Sequence, residues 1–147
     1  ASVAYRPRCV VLEWIDPPFS SGHWGPELVG LAGGVELLGS NAGHSTRIGW
    51  DRIRQADPEV LVLACCGYET RRTLQDVPIL ARQQGWDDLA AVRSGRVFVI
   101  DGNAYFNRPG PRIVDTIEML AQILHPERFA TTFPDRGIIP LGSEAGA

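Results

Sequence analysis

A chain of 147 residues that is 44% hydrophobic and 21% charged can bury one real core, so a single globular lobe is expected. Its formal net charge of -3 is mixed in sign and contains no Lys/Arg run, which excludes a surface that tracks phosphate backbones. Apolar runs such as Val60-Leu61-Val62-Leu63-Ala64 are too short to span a bilayer, and the amino terminus carries no basic-then-apolar export signal.

Arg8 to Trp14 is β-branched and nearly continuously apolar, which predicts a buried parallel strand. The following stretch, Trp14 to Trp24, sets large aromatics on a proline-stiffened loop at that strand's carboxyl end, with Gly22 supplying conformational freedom. Gly25 to Ala32 predicts a helix with Pro26 in its first turn and Gly33-Gly34 as its stop. Trp50 to Ala56 reads as a short helix ended at Asp57-Pro58, and Glu59 to Ala64 as a second buried strand. After the Cys65-Cys66-Gly67-Tyr68 turn, Glu69 to Asp76 predicts a polar helix that Pro78 interrupts or closes. A turn near Gln84-Gly85 leads to a short helical piece, Trp86 to Arg93, and then to a third strand, Arg96 to Asp101. The loop from Gly102 to Pro111 precedes the longest helical pattern, Arg112 to Leu124, closed by His125-Pro126.

Strands alternating with helices imply an α/β fold with an open, mostly parallel sheet and helices on both faces. Residues 1–128 are expected to form that lobe and residues 129–147 a loosely attached, irregular tail. Ligands of such sheets gather outside the carboxyl ends of the strands. Three loops meet there and bring Phe19, Trp24, Tyr68, Tyr105 and Phe106 toward one rim. An aromatic rim with few ionisable groups suits gripping a large flat ligand better than bond-making.

Ser20 and Ser21 lie near His23, but no G-x-S-x-G elbow occurs and no acidic partner can be assigned, so a serine hydrolase is disfavoured and the chain is read as a non-enzyme. No Walker sequence or G-x-G-x-x-G follows a strand, which disfavours a nucleotide. His23, His44 and Cys66 match no known metal cage, although His23 on the rim is placed to reach the axial position of a bound metal. Cys65 points inward by alternation, which leaves Cys66 facing the rim as a ligand contact. Cys9, Cys65 and Cys66 form an odd set with two adjacent members, which argues against a disulfide scaffold. Arg108 and Arg112, at and just inside a helix amino terminus, are candidates for an anionic ligand group or a partner acid.

Asp16-Pro17-Pro18-Phe19-Ser20-Ser21-Gly22, then Asp57-Pro58-Glu59-Val60-Leu61-Val62, then Tyr105-Phe106-Asn107-Arg108-Pro109-Gly110-Pro111-Arg112-Ile113 together resemble the second lobe of the cobalamin-binding substrate-binding proteins of ABC importers. The likeness runs from about Val10 to about Glu127. It is greatest to a subgroup with Cys-Gly-Tyr after the middle strand and Asp-Gly-Asn-Ala-Tyr-Phe before the last helix.

The resemblance implies one lobe of a two-lobed receptor whose lobes are joined by a long rigid helix, with an amino-terminal lobe preceding this chain. The ligand would be cobalamin or a related corrinoid, carried as cargo, with no resident cofactor. Phe19 and Tyr105 match aromatic contacts of the family's cleft, and Arg108, Pro111 and Arg112 match the pattern. Asn107 stands where the family has an acidic residue that pairs with permease arginines, so docking by that salt bridge is not carried over. The expected location is periplasmic or extracytoplasmic if the protein is exported, and cytoplasmic otherwise. The alternatives are an iron-siderophore or haem receptor lobe, and a cobalamin-handling protein that contacts cobalt through Cys66 or His23.

Overall fold

The computed structural model describes residues 5–22, 25–39, 46–65, 70–101, 112–128 and 138–141. Among the described residues the strands are β1 (Arg8–Ile15), β2 (Pro18–Ser20), β3 (Val35–Glu36), β4 (Val60–Leu63), β5 (Val97–Val99) and β6 (Ile139–Pro140). The α-helices among them are α1 (Gly25–Leu31), α2 (Trp50–Ala56), α3 (Thr70–Ala81), α4 (Ala90–Arg93) and α5 (Arg112–Leu124), with short 3₁₀ helices at Trp86–Asp88 and Pro126–Arg128.

The three apolar runs become adjacent parallel strands, with Leu12 opposite Leu63 and Leu63 opposite Val99. They are buried on both faces because helices cover both. Cys9, Val11, Val60, Val62, Phe98 and Ile100 pack under α1 and α5 against Leu28, Met119, Leu120 and Ile123. Val10, Leu12, Leu61, Leu63, Cys65, Val97 and Val99 face the other layer, against Ile53, Leu80, Trp86 and Leu89. This is the expected α/β architecture, and Cys65 points inward as alternation requires.

Arginines finish the helices. Arg6 donates to the carbonyls of Gly30 and Gly34 at the end of α1, Arg8 to those of Ala56 and Asp57 at the end of α2, and Arg96 to those of Ile123 and Leu124 at the end of α5. Each guanidinium satisfies carbonyls that lack an intrahelical donor and meets the negative pole of the helix dipole. His125 likewise sits buried against the Gly33 carbonyl at 3.0 Å. These side chains serve the scaffold.

The structure corrects the sequence reading in four places. The loop after β1 contains a strand, β2, that turns back antiparallel on β1. Two residues beyond the Gly33-Gly34 stop form β3, parallel to the start of β1. Helix α3 runs past Pro78, which lies on its exposed side, to Ala81, and the extra residues bring the fully buried Leu80 into the core. Within the tail read as irregular, Ile138 is fully buried and β6 pairs antiparallel with β5, so residues 138–141 close the sheet edge.

Candidate functional site

The parallel strands β1, β4 and β5 have their carboxyl ends at one edge of the sheet. Among the proposed contacts, Phe19 is described. Trp24, Cys66, Tyr68, Tyr105, Phe106, Asn107 and Arg108 lie outside the described residues, as does His23.

Phe19 is half-buried in the middle of β2, paired with Trp14 of β1 on one side and bridged to Arg47 on the other. The outer edge of β2 is stitched to the 46–48 segment by Ser20 N donating to Thr46 O (2.8 Å) and Ile48 N donating to Pro18 O (2.9 Å). The ring is therefore carried by a strand paired on both edges. Ser20 and Ser21 are fully buried, the first with its hydroxyl 3.0 Å from Thr46 Oγ1 and the second donating to Glu36 at 2.8 Å. Both hydroxyls hold the scaffold, so a nucleophilic serine has no support here.

Two acidic residues, neither singled out by the sequence reading, set this edge. The outer side of β1 is covered by β3 at its start and β2 at its end, and the gap between those short strands is filled by the Glu36 side chain. Its carboxylate accepts from Val11 N at 3.0 Å, Ser21 Oγ at 2.8 Å, and Leu38 N and Gly39 N at 2.7 Å each. Burial raises the Glu36 carboxyl above its ordinary value, against the downward pull of those donors. The same burial, with Glu36 nearby, pushes the Cys9 thiol well up, so Cys9 is an inert core thiol. Glu13, 5% exposed, accepts from Gly22 N at 3.0 Å and so fixes the chain beyond β2. Its one visible signal was a charge inside an otherwise apolar strand.

Gly39 is required by close approach: a Cβ there would lie 2.6 Å from Ser21 Oγ and 3.0 Å from the Ser21 carbonyl. Gly39→Ala is expected to cost about 2 kcal/mol through overpacking, read as a lower urea midpoint with an unchanged slope. An unchanged midpoint would show that the Glu36 knot gives way freely.

A cavity of about 580 Å³ beside the turn from α2 into β4 is lined by Asp51, Arg54, Asp57 and Asp88, among others. It lies at the amino ends of the strands and its described lining is mostly charged with no aromatic ring, so it does not compete with the carboxyl edge for a flat ligand. Trp50 and Trp86, stacked at 6.2 Å on that side, are packing residues.

A family model described as periplasmic binding protein matches residues 7–104. The chain belongs to the periplasmic binding protein family. No curated protein matches this family member's sequence. Among solved structures, an ABC transporter substrate-binding protein from Listeria monocytogenes EGD-e superposes with a TM-score of 0.71 at 16% identity, over 84% of this chain and 49% of that one. A periplasmic heme binding protein from Pseudomonas aeruginosa gives 0.68 at 18% identity over 93% and 48%. The periplasmic vitamin B12 binding protein BtuF of Vibrio cholerae gives 0.63 at 20% over 84% and 46%. This periplasmic binding protein chain thus spans about half the length of the solved structures it matches, and the likeness extends to the fold. Among its described residues no helix is long and apolar enough to cross a membrane.

Proposed function

We propose that the chain is the carboxyl-terminal lobe of a non-catalytic receptor that encloses cobalamin or a related corrinoid for uptake through an ABC importer. Phe19, Trp24, Cys66, Tyr68, Tyr105, Phe106 and Arg108 are the proposed contact surface, and Asn107 is the proposed permease-docking residue. The observation that carries this reading is Phe19, held half-exposed by a doubly paired strand at the carboxyl edge of a periplasmic-binding-protein sheet. A flat macrocycle matches such an edge because ring faces add about 0.5–1.5 kcal/mol each beyond the area they bury. The B12-binding neighbour supports the corrinoid, and heme-binding neighbours of similar TM-score support a haem receptor lobe as the second reading.

Titrating the full-length protein with cyanocobalamin, hemin and ferrichrome tests the choice. Saturable binding of cyanocobalamin with an unshifted corrin spectrum is the expected result. A ligand-exchange shift of that spectrum would instead favour a cobalamin-handling protein that contacts cobalt through Cys66 or His23. Binding of hemin or ferrichrome alone would replace the corrinoid with that ligand.

A further inference from the structure

We propose that Trp14, which the sequence places where the first strand passes into the aromatic loop but which is not among the rim contacts expected from it, is a ligand-contacting ring beside Phe19 that selects for a flat macrocycle. This rests on the receptor reading above and adds to it a residue and a basis for discrimination.

Register decides which way Trp14 faces. Leu12 pairs with Ser20 and Trp14 with Phe19, so Glu13 is an extra residue, a bulge, on β1. Without it, Leu12 and Ile15, three residues apart, would face opposite sides of the sheet; both pack in the same layer as Leu61 and Leu63. Beyond the bulge the alternation is therefore reversed, and Trp14 faces away from Ile15. Phe19, directly opposite Trp14 in an antiparallel pair, faces the same way, with Cβ atoms about 5 Å apart by the geometry of such pairs. Trp14 also lies two residues beyond the last β1–β4 pair, Leu12 with Leu63, and so stands at the carboxyl edge. Both rings are half-buried, while their neighbours Ile15 and Ser20 are 2% and 0% exposed. Glu13 at the bulge holds Gly22, which keeps the reversal in place. A bulge that turns one side chain toward a site is a common device at binding edges.

Side by side, an indole and a phenyl ring make a surface broad enough to meet a macrocycle, whereas a compact ferric chelate would touch one ring or neither. The full-length wild type, Trp14→Phe and Trp14→Leu are titrated with cyanocobalamin, hemin and ferrichrome, and each variant's thermal midpoint is measured. Trp14→Leu is expected to weaken the bound macrocycle about tenfold, about 1.4 kcal/mol, mostly through faster dissociation. Trp14→Phe keeps a ring and should stay within about threefold of wild type. Rescue by the smaller ring separates contact from packing, since both variants remove side-chain volume. A wild type that binds either macrocycle while Trp14→Leu binds it equally well would overturn the Trp14 assignment and leave the receptor reading standing. A wild type that binds ferrichrome alone would overturn the macrocycle selection, and one that binds none of the probes would remove both proposals. Should Trp14→Leu not fold, Trp14→Met, which fills the site without a ring, takes its place, and undiminished affinity there counts against the proposal in the same way.

Discussion

Leu63→Ala is expected to cost about 4 kcal/mol of unfolding free energy, at the upper end for a buried leucine because the site has little room to collapse. Leu63 is fully buried in β4, the central parallel strand, paired with β1 on one side and β5 on the other. Its side chain packs in the layer that holds Leu12, Leu80 and Val99, all 0% exposed. A loss that large is a sizeable part of the stability of an ordinary domain. Chemical denaturation, followed by circular dichroism at constant slope, measures it. A loss below about 1 kcal/mol would mean that the layer relaxes into the space, and the close-packed sandwich would be the wrong picture.

Glu36→Ala is the second large effect, with a different cause. The carboxylate accepts hydrogen bonds from Val11 N, Ser21 Oγ, Leu38 N and Gly39 N, and alanine leaves all of these donors facing a part-buried gap. At about 1 kcal/mol for each orphaned donor, the loss approaches about 4 kcal/mol, reduced wherever water enters. Because the same knot anchors Ser21, the variant should also loosen the β2 arm, seen as faster amide exchange at Ser20 and Ile48. Exchange rates unchanged there, with the global loss present, would uncouple Glu36 from the arm.

Glu36 also fixes a sign for pH. Burial raises its carboxyl in the folded chain, so the folded state holds the proton more tightly than the unfolded state does. Its contribution to stability is then fully present below the ordinary carboxylate value and is lost as pH rises through the raised one. Glu36→Gln does not titrate, and its amide group turns donors toward donors. The stability advantage of wild type over Glu36→Gln is therefore expected to shrink as pH is raised from about 4. An advantage that grows with pH would mean that the donors outweigh burial.

The sequence by itself determined the sandwich. Val60 to Leu63 and Val97 to Val99 are apolar without alternation, which a strand tolerates only when helices cover both faces, and the turn residues between them mark where the helices begin and end. The family resemblance, drawn from the Asp16-to-Gly22, Asp57-to-Val62 and Tyr105-to-Ile113 segments, agrees with the family model over residues 7–104 as far as the periplasmic binding protein family, while the corrinoid remains a proposal. What the sequence could not show was the outer side of β1. β2 and β3 on β1, and β6 on the opposite sheet edge against β5, have 3, 2 and 2 residues, too few for any period to register, and they exist because the outer edges of β1 and β5 offer unpaired amides and carbonyls. The bulge at Glu13 and the four-donor seat of Glu36 have the same origin: they arise from register and from hydrogen bonds between distant segments. Local composition selects strand or helix, whereas the face on which Trp14 emerges is decided only when a second strand closes against the first.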